Sequence, residues 1–157
     1  MDNDAHFMKE AIKEAGRAAR EDEVPIGAVA VYKNRVIGRA HNQTRLLKDP
    51  TAHAEMIALT QAAGFLKSER LTDVDLYVTI EPCIMCTGAM VWARIRRVIF
   101  GAWDEKAGGC GSVVNVAQHA ALNHRLEIVS GVLEDDCRGL MRAFFRKKRL
   151  EKQSTNN

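Results

Sequence analysis

The sequence predicts an α/β fold: a three-layer α-β-α arrangement around a central five-stranded mixed sheet. Three observations carry this expectation. Short apolar runs suited to strands recur at residues 26–31, 36–40, 76–80, 98–101 and 126–129. The first two are joined by Tyr32-Lys33-Asn34-Arg35, short enough for an antiparallel hairpin. From the third onward, strands alternate with stretches of helical character, as in mostly parallel sheets covered by helices on both faces.

In chain order, residues 5–19 read as an amphipathic helix. Met8, Ala11, Ile12, Ala15, Ala18 and Ala19 follow the i, i+3, i+4 spacing, and Asp4 suits the N-cap. Pro25 and Gly27 break helical character before the first strand. Gly27 and Gly38, both on strands, imply a bulge or a close backbone approach. A polar loop opens at His41 and ends at Pro50-Thr51, where Thr51 is an N-cap for a helix over 52–63 that Gly64 stops. Leu76-Tyr77-Val78-Thr79-Ile80 is nearly continuous in apolar residues, as a strand covered on both faces requires. Pro82 suits the first turn of the next helix, which runs to about Ala93. After the strand at 98–101 come a glycine-rich loop over 102–112, a short helix near 113–118 and the strand at 126–129. A basic last helix then runs from near Glu134 to about Lys148, and a short flexible tail covers about 150–157. Nothing resembling a linker or repeat divides the chain, so residues 1–157 read as a single domain.

Composition narrows the setting. A chain of 157 residues, 46% hydrophobic and 27% charged, can bury the core of one soluble domain. Residues 1–23 carry charges of both signs and no apolar segment of a secretory signal, and no run approaches a membrane span. Two of the four cysteines fall in one C-x-x-C, which argues against a disulfide framework and for a reducing cytoplasm. A net charge of +3 does not by itself imply nucleic acid.

The chemistry concentrates in Thr51-Ala52-His53-Ala54-Glu55 and Pro82-Cys83-Ile84-Met85-Cys86. Two thiols three residues apart can share one ion, and an imidazole from a second element completes three N/S ligands of the kind zinc favours. Three protein ligands leave a fourth tetrahedral position for water, whose pKa zinc lowers to about 7. Positions two apart on a helix point about 200° from each other. His53 is therefore assigned to the metal, and Glu55 to the water beside it as a proton shuttle. The competing arrangement is a closed structural site with Cys110, His41, His119 or His124 as fourth ligand. Near the C-terminus, Arg138, Arg142, Arg146 and Arg149 fall within roughly 80° of one helix face, opposite Leu133, Cys137, Leu140 and Phe144. Such a stripe is either a solvated face or a track for phosphates. Phe144 and Phe145 read as core anchors.

The H-x-E…P-C-x-x-C pairing is the signature of zinc nucleobase deaminases, those of tRNA among them. Over almost its whole length the sequence resembles the bacterial tRNA-specific adenosine deaminases. The likeness runs through Glu23-Val24-Pro25-Ile26-Gly27-Ala28, Ala40-His41-Asn42, both metal-site segments, Arg97-Val98-Ile99-Phe100-Gly101-Ala102, Asn123-His124-Arg125 and Phe144-Phe145-Arg146. Thr87, where that family has alanine, and Trp103 depart from it.

The resemblance implies a cytidine-deaminase-like fold, one zinc ion per subunit, and conversion of adenosine to inosine at the wobble position of an arginine tRNA. It also implies a homodimer with the anticodon stem-loop lying across both subunits. Carried over by position, Asn42, Ile26 and Ala54 line the purine pocket, and Asp104, Lys106 and Asn123 meet flanking nucleotides; Phe144 and Arg146 shape the RNA surface. Two other readings compete. One is a deaminase of a free base such as guanine or cytosine, toward which Trp92-Ala93-Arg94 points. The other is a zinc-stabilised RNA-binding module, which would have no use for Glu55.

Overall fold

The computed structural model describes residues 3–155. Ten elements follow one another: α1 (Asp4–Arg20), β1 (Gly27–Tyr32), β2 (Arg35–His41), α2 (Thr44–Leu47), α3 (Ala54–Leu66), β3 (Val74–Ile80), α4 (Ile84–Ala93), β4 (Arg97–Ala102), β5 (Glu127–Val129) and α5 (Glu134–Thr155). The sheet order is β2-β1-β3-β4-β5. Strand β1 pairs antiparallel with both β2 and β3, while β3, β4 and β5 are mutually parallel.

Alternation along the strands builds the three layers. Ala28, Ala30, Leu76, Val78, Val98 and Phe100 face α3 and α4, meeting Ala58, Ala62, Cys86 and Met90. Val29, Val31, Tyr77 and Ile99 face the other way, onto Phe7, Met8 and Ala11 of α1 and Cys137 of α5. Because both faces are covered, every residue of β3 is buried.

Glycines stand where helix backbones cross the sheet. A Cβ on Gly27 would lie 2.1 Å from the Ala11 carbonyl oxygen and 2.4 Å from the Ala15 nitrogen, so α1 rests directly on β1. A Cβ on Gly38 would lie 2.7 Å from the Ala58 carbonyl of α3. The hairpin also carries a bulge, because its register slips between Ala30 and Val31. Both senses of the glycine expectation therefore hold. Polar ties reinforce the α1 contact: the buried Asp4 carboxylate accepts from the Tyr77 hydroxyl at 2.6 Å and from Arg97 at 3.1 Å. Arg97 reaches on to Asp75 at 2.8 Å.

Several local expectations are corrected. Asp4 is not the N-cap of α1; Asn3 holds that position without a side-chain cap, and Asp4 turns into the sheet. Thr51 does not cap α3 either, since its amide and hydroxyl close a turn on Asp49 (2.8 and 2.7 Å) and the helix starts at Ala54. Gly64 does not stop α3, because the space around its Cα is open and the helix ends at Lys67 in the left-handed region. Pro82 precedes the N-cap of α4 instead of entering its first turn.

No helix forms near 113–118. The β-branched segment folds back on the glycine-rich loop, with Val113 and Val116 amides donating to the carbonyls of Gly108 and Gly109. The short α2 was not expected; the buried Glu23 carboxylate receives the amides of Arg45 and Leu46. Helix α5 outruns its expected end near Lys148 and reaches Thr155, since polar composition alone does not end a helix. The tail expected over 150–157 is thus helical as far as it is described, and residues 156 and 157 lie outside the described residues.

These crossings predict opposite outcomes for two Gly→Ala replacements in chemical denaturation. Gly27→Ala should cost at least about 2–3 kcal/mol or abolish folding, by overpacking against backbone. Gly139→Ala, in α5 with open space at its Cβ, should be neutral or stabilise by up to about 1 kcal/mol.

Candidate active site

Two helices begin at the same sheet edge, and their first residues converge. His53 is the N-cap residue of α3 and Cys83 that of α4; both have extended backbone, and neither side chain caps its own helix. The imidazole and thiol are free to face each other across the gap. His53 Nδ1 lies 3.6 Å from Cys83 Sγ and 3.4 Å from Cys86 Sγ, one turn into α4. All three ligand atoms lie within 4.8 Å of one another, and among the described residues no other group of three or more His, Cys, Asp or Glu side chains is clustered this way. A tetrahedral zinc ion with bonds of about 2.0 Å to nitrogen and 2.3 Å to sulfur sets N and S about 3.5 Å apart. The donor set fits such an ion.

None of the alternative fourth ligands joins the cluster. His41 is buried between the carboxylates of Glu14 and Glu21, at 3.3 and 2.7 Å. His124 meets the Ile95 carbonyl, and His119 accepts the Ala121 amide. Cys110 is buried beside Thr87, 3.5 Å from its hydroxyl, and burial pushes its thiol up to about 12.

Glu55 follows in the first turn of α3, with its carboxyl buried. One oxygen, Oε1, has no hydrogen-bond partner among the described residues. Burial pushes this carboxyl up to about 7, partly opposed by its own backbone amide and by His53. The Cys83 thiol is drawn down to about 4, chiefly by hydrogen bonding with Cys86, and, against burial, by His53. Bonding to Cys83 and burial hold the Cys86 proton tightly. Metal binding must displace that proton, so it is favoured by rising pH.

The same edge gathers Asn42, Ile26 and Ala54. The Asn42 amide donates to the Ile26 carbonyl at 3.1 Å, and Asn42 Oδ1 accepts the Ala54 amide at 2.8 Å, the first N–H of α3. Asn42 therefore ties Ile26 to the segment holding His53 and Glu55, while buried Ala54 has its N–H spent on Asn42. Asp104 and Lys106 sit on the loop after β4, where Asp104 Oδ1 accepts the Lys106 amide at 3.0 Å.

Three other expected residues fall elsewhere. Asn123 is exposed just before His124, which contacts Ile95 ahead of β4, so it lies toward the opposite sheet edge of this chain. Phe144 is buried, as a core anchor, while Phe145 is 42% exposed. Phe145 instead lines a groove of about 1100 Å³ with Trp103 and Met141, rimmed by Lys106, Arg142, Arg149 and Lys152. Arg146 is exposed but outside that lining.

Sequence reasoning missed Glu81. It is buried at the end of β3, and its carboxylate collects loop amides from Asp104, Cys110 and Ser112. Its only sequence signal is an acid between an apolar strand and Pro82.

A family model of MafB19-like deaminases matches residues 1–149. The tRNA-specific adenosine deaminase of Bacillus subtilis (strain 168) is 47% identical over 154 residues, covering 98% of this chain and 96% of that protein. The chain belongs to the tRNA-specific adenosine deaminase family. A solved structure from work on A-to-I editing by tRNA:A34 deaminases superimposes with a TM-score of 0.83 at 46% identity, over 86% of this chain and 98% of the other. A guanine deaminase from Nitrosomonas europaea shares the fold, with a TM-score of 0.74 at 20% identity over 89% of this chain and 83% of the other. Within the tRNA-specific adenosine deaminase family, this chain sets Thr87 under the loop, its hydroxyl donating to the Cys83 carbonyl at 2.8 Å. Trp103 lies edge-on to Phe100, with centroids 4.9 Å apart.

The environment of Glu55 predicts a stability gain on its removal. Its raised pKa means no penalty below 4.5, the ordinary value; the penalty grows as pH rises from there to about 7 and is complete above. Glu55→Gln should therefore match the parent near pH 4 in thermal unfolding. By pH 8 it should be more stable by about 1–3 kcal/mol.

Proposed function

We propose that the chain is a zinc-dependent hydrolase that converts adenosine to inosine at position 34, the wobble position, of an arginine tRNA anticodon. The single observation supporting this most is the buried Glu55, with a free carboxyl oxygen beside an N/S₂ ligand set. A purely structural metal site has no use for a buried proton carrier.

His53, Cys83 and Cys86 would hold the ion. Bound zinc supplies Lewis-acid activation of water. Glu55 does the proton work: it takes one proton from the attacking water and delivers it to adenine N1, then takes the second from the hydroxyl now on C6 and delivers it to the departing amine. A carboxyl shifted to about 7 suits this two-way role near neutral pH. Asn42 has its oxygen engaged by Ala54, leaving its NH₂ to donate to a purine acceptor, and Ile26 forms a wall.

RNA recognition is assigned to the loop carrying Asp104 and Lys106 and to the groove along α5. Arg142, Arg149 and Lys152 surround the apolar floor of Trp103, Met141 and Phe145, an arrangement suited to phosphates and unstacked bases. The whole chain serves as one deaminase domain in the cytoplasm; among the described residues no helix is long and apolar enough to cross a membrane.

The chain works as a homodimer in this reading. Helix α4 leaves Ile84 and Trp92 exposed at 53% and 87%, with Gly88 between them one turn from each. Antiparallel pairing of two such faces would bring Asn123, at the far end of α4, toward the metal edge of the other subunit.

The decisive experiment offers the purified protein an adenosine-containing anticodon stem-loop beside free adenosine, guanine and cytosine, with products read by mass spectrometry. Inosine should form in the loop; turnover of a free base alone would rule out the RNA reading. Glu55→Ala should retain zinc by metal analysis and lose about 10²–10⁴-fold or more in kcat, while His53→Ala loses both. KM for the stem-loop should climb steeply with salt. Arg142→Ala and Arg149→Ala should each raise it several-fold, roughly the loss of one phosphate contact, and more than Arg146→Ala.

A further inference from the structure

We propose that Glu81 is a positioning residue for RNA recognition, clamping the loop that carries Asp104 and Lys106 to the backbone of the metal ligand Cys83. This inference rests on the RNA reading above.

Glu81 is 3% exposed and stands two residues before Cys83. Its two oxygens take four donors. Oε1 accepts the Asp104 amide at 3.0 Å and the Ser112 hydroxyl; Oε2 accepts the Cys110 amide at 3.0 Å and the Ser112 amide at 3.1 Å. A carboxylate has about four lone-pair sites, so its capacity is filled. The loop packs down on it without side chains between. A Cβ on Gly108 would lie 2.3 Å from the Glu81 carboxyl, and one on Gly109 would lie 2.9 Å from the Cys83 carbonyl oxygen. The Gly109 amide donates to the Pro82 carbonyl at 2.7 Å, and Cys83 bridges Gly108. Glu81, Pro82 and Cys83 thus hold the loop with the same backbone that presents a metal ligand.

Asp104 is the vulnerable attachment. Its amide donates to Glu81, and its carboxylate then turns the chain by accepting the amides of Lys106 and Ala107 at 3.0 and 3.2 Å. In Glu81→Gln, placing the new NH₂ at Oε2 would set it against two amide donors. Placed at Oε1, it can donate to the Ser112 hydroxyl, whose rotor can reverse, and only the Asp104 amide is left facing a donor. The substitution therefore detaches the entry of the loop and spares Cys110 and Ser112.

The test uses the full-length, zinc-loaded chain. Hydrogen exchange, measured without RNA, should quicken at residues 103–107 in Glu81→Gln. KM for the stem-loop should rise roughly tenfold, the weight of a hydrogen bond to a charged group, with kcat within about twofold and zinc content unchanged. Discrimination between stem-loops differing in the base next to the target should weaken, which a general loss of stability would not produce. Faster exchange with unchanged KM would overturn the proposal, and so would a fall in kcat and zinc with unchanged KM. If Glu81→Gln does not fold, Ser112→Ala loosens the same carboxylate; KM should rise about threefold, and unchanged KM and exchange there would overturn it. A parent enzyme inactive on the stem-loop would instead sink the RNA reading, while exchange still reports on the clamp.

Discussion

The approach of His53 Nδ1 to the sulfurs of Cys83 and Cys86, at 3.6 and 3.4 Å, is the constraint on which the functional edge depends. It requires α3 and α4 to begin at one edge of the sheet with their N-cap residues turned toward each other. The topology delivers this because β1 runs antiparallel to both β2 and β3, so the ends of β2 and β3, from which the chain leads to α3 and α4, both lie beside the start of β1. The close packing of α3 on Gly38 and α1 on Gly27 leaves no room for a side chain between helix and sheet at either crossing. Side chains at the starts of packed helices are held more precisely than side chains on loops.

Buried carboxylates divide the remaining work according to the donors that reach them. Glu23 accepts two amides of α2, and Glu81 accepts three amides and a hydroxyl. Both organise backbone. Glu55 is buried to the same degree yet keeps an oxygen without a partner among the described residues. Burial raises its pKa, and a charged carboxyl so placed destabilises the folded chain, the kind of local cost found where a group is kept ready for chemistry. Acids of similar burial thus differ by the donors that the fold brings to them.

The α5 face shows how a basic stripe divides once folded. Arg138 is engaged by Glu134 at 2.6 Å, and Lys148 is held by Asp22 and Glu151. Both still line, with Arg142, Arg149 and Lys152, the groove that Trp103 and Phe145 floor, while Arg146 lies outside it. Helical spacing groups the four arginines on one face, and only the fold decides that Arg146 is left out of the groove and that Lys148 is drawn to Asp22.

The sequence by itself determined the sheet, its hairpin and the residues of the His53, Cys83 and Cys86 cluster. Alternating strands, a short polar connection and cysteines three apart are local regularities that leave marks in the sequence. It also located the close approaches at Gly27 and Gly38, because a strand tolerates glycine poorly without such a reason. Tertiary structure alone decided what depended on partners distant in the chain. Asp4 became a tie to Tyr77 instead of a cap, Asn42 became the anchor of α3, and Asn123 fell toward the far edge. Glu81 became the centre of a loop whose donors are backbone amides, and every residue but proline has one. An amide leaves no signature in the sequence, so which carboxylate it reaches is known only once the chain has folded.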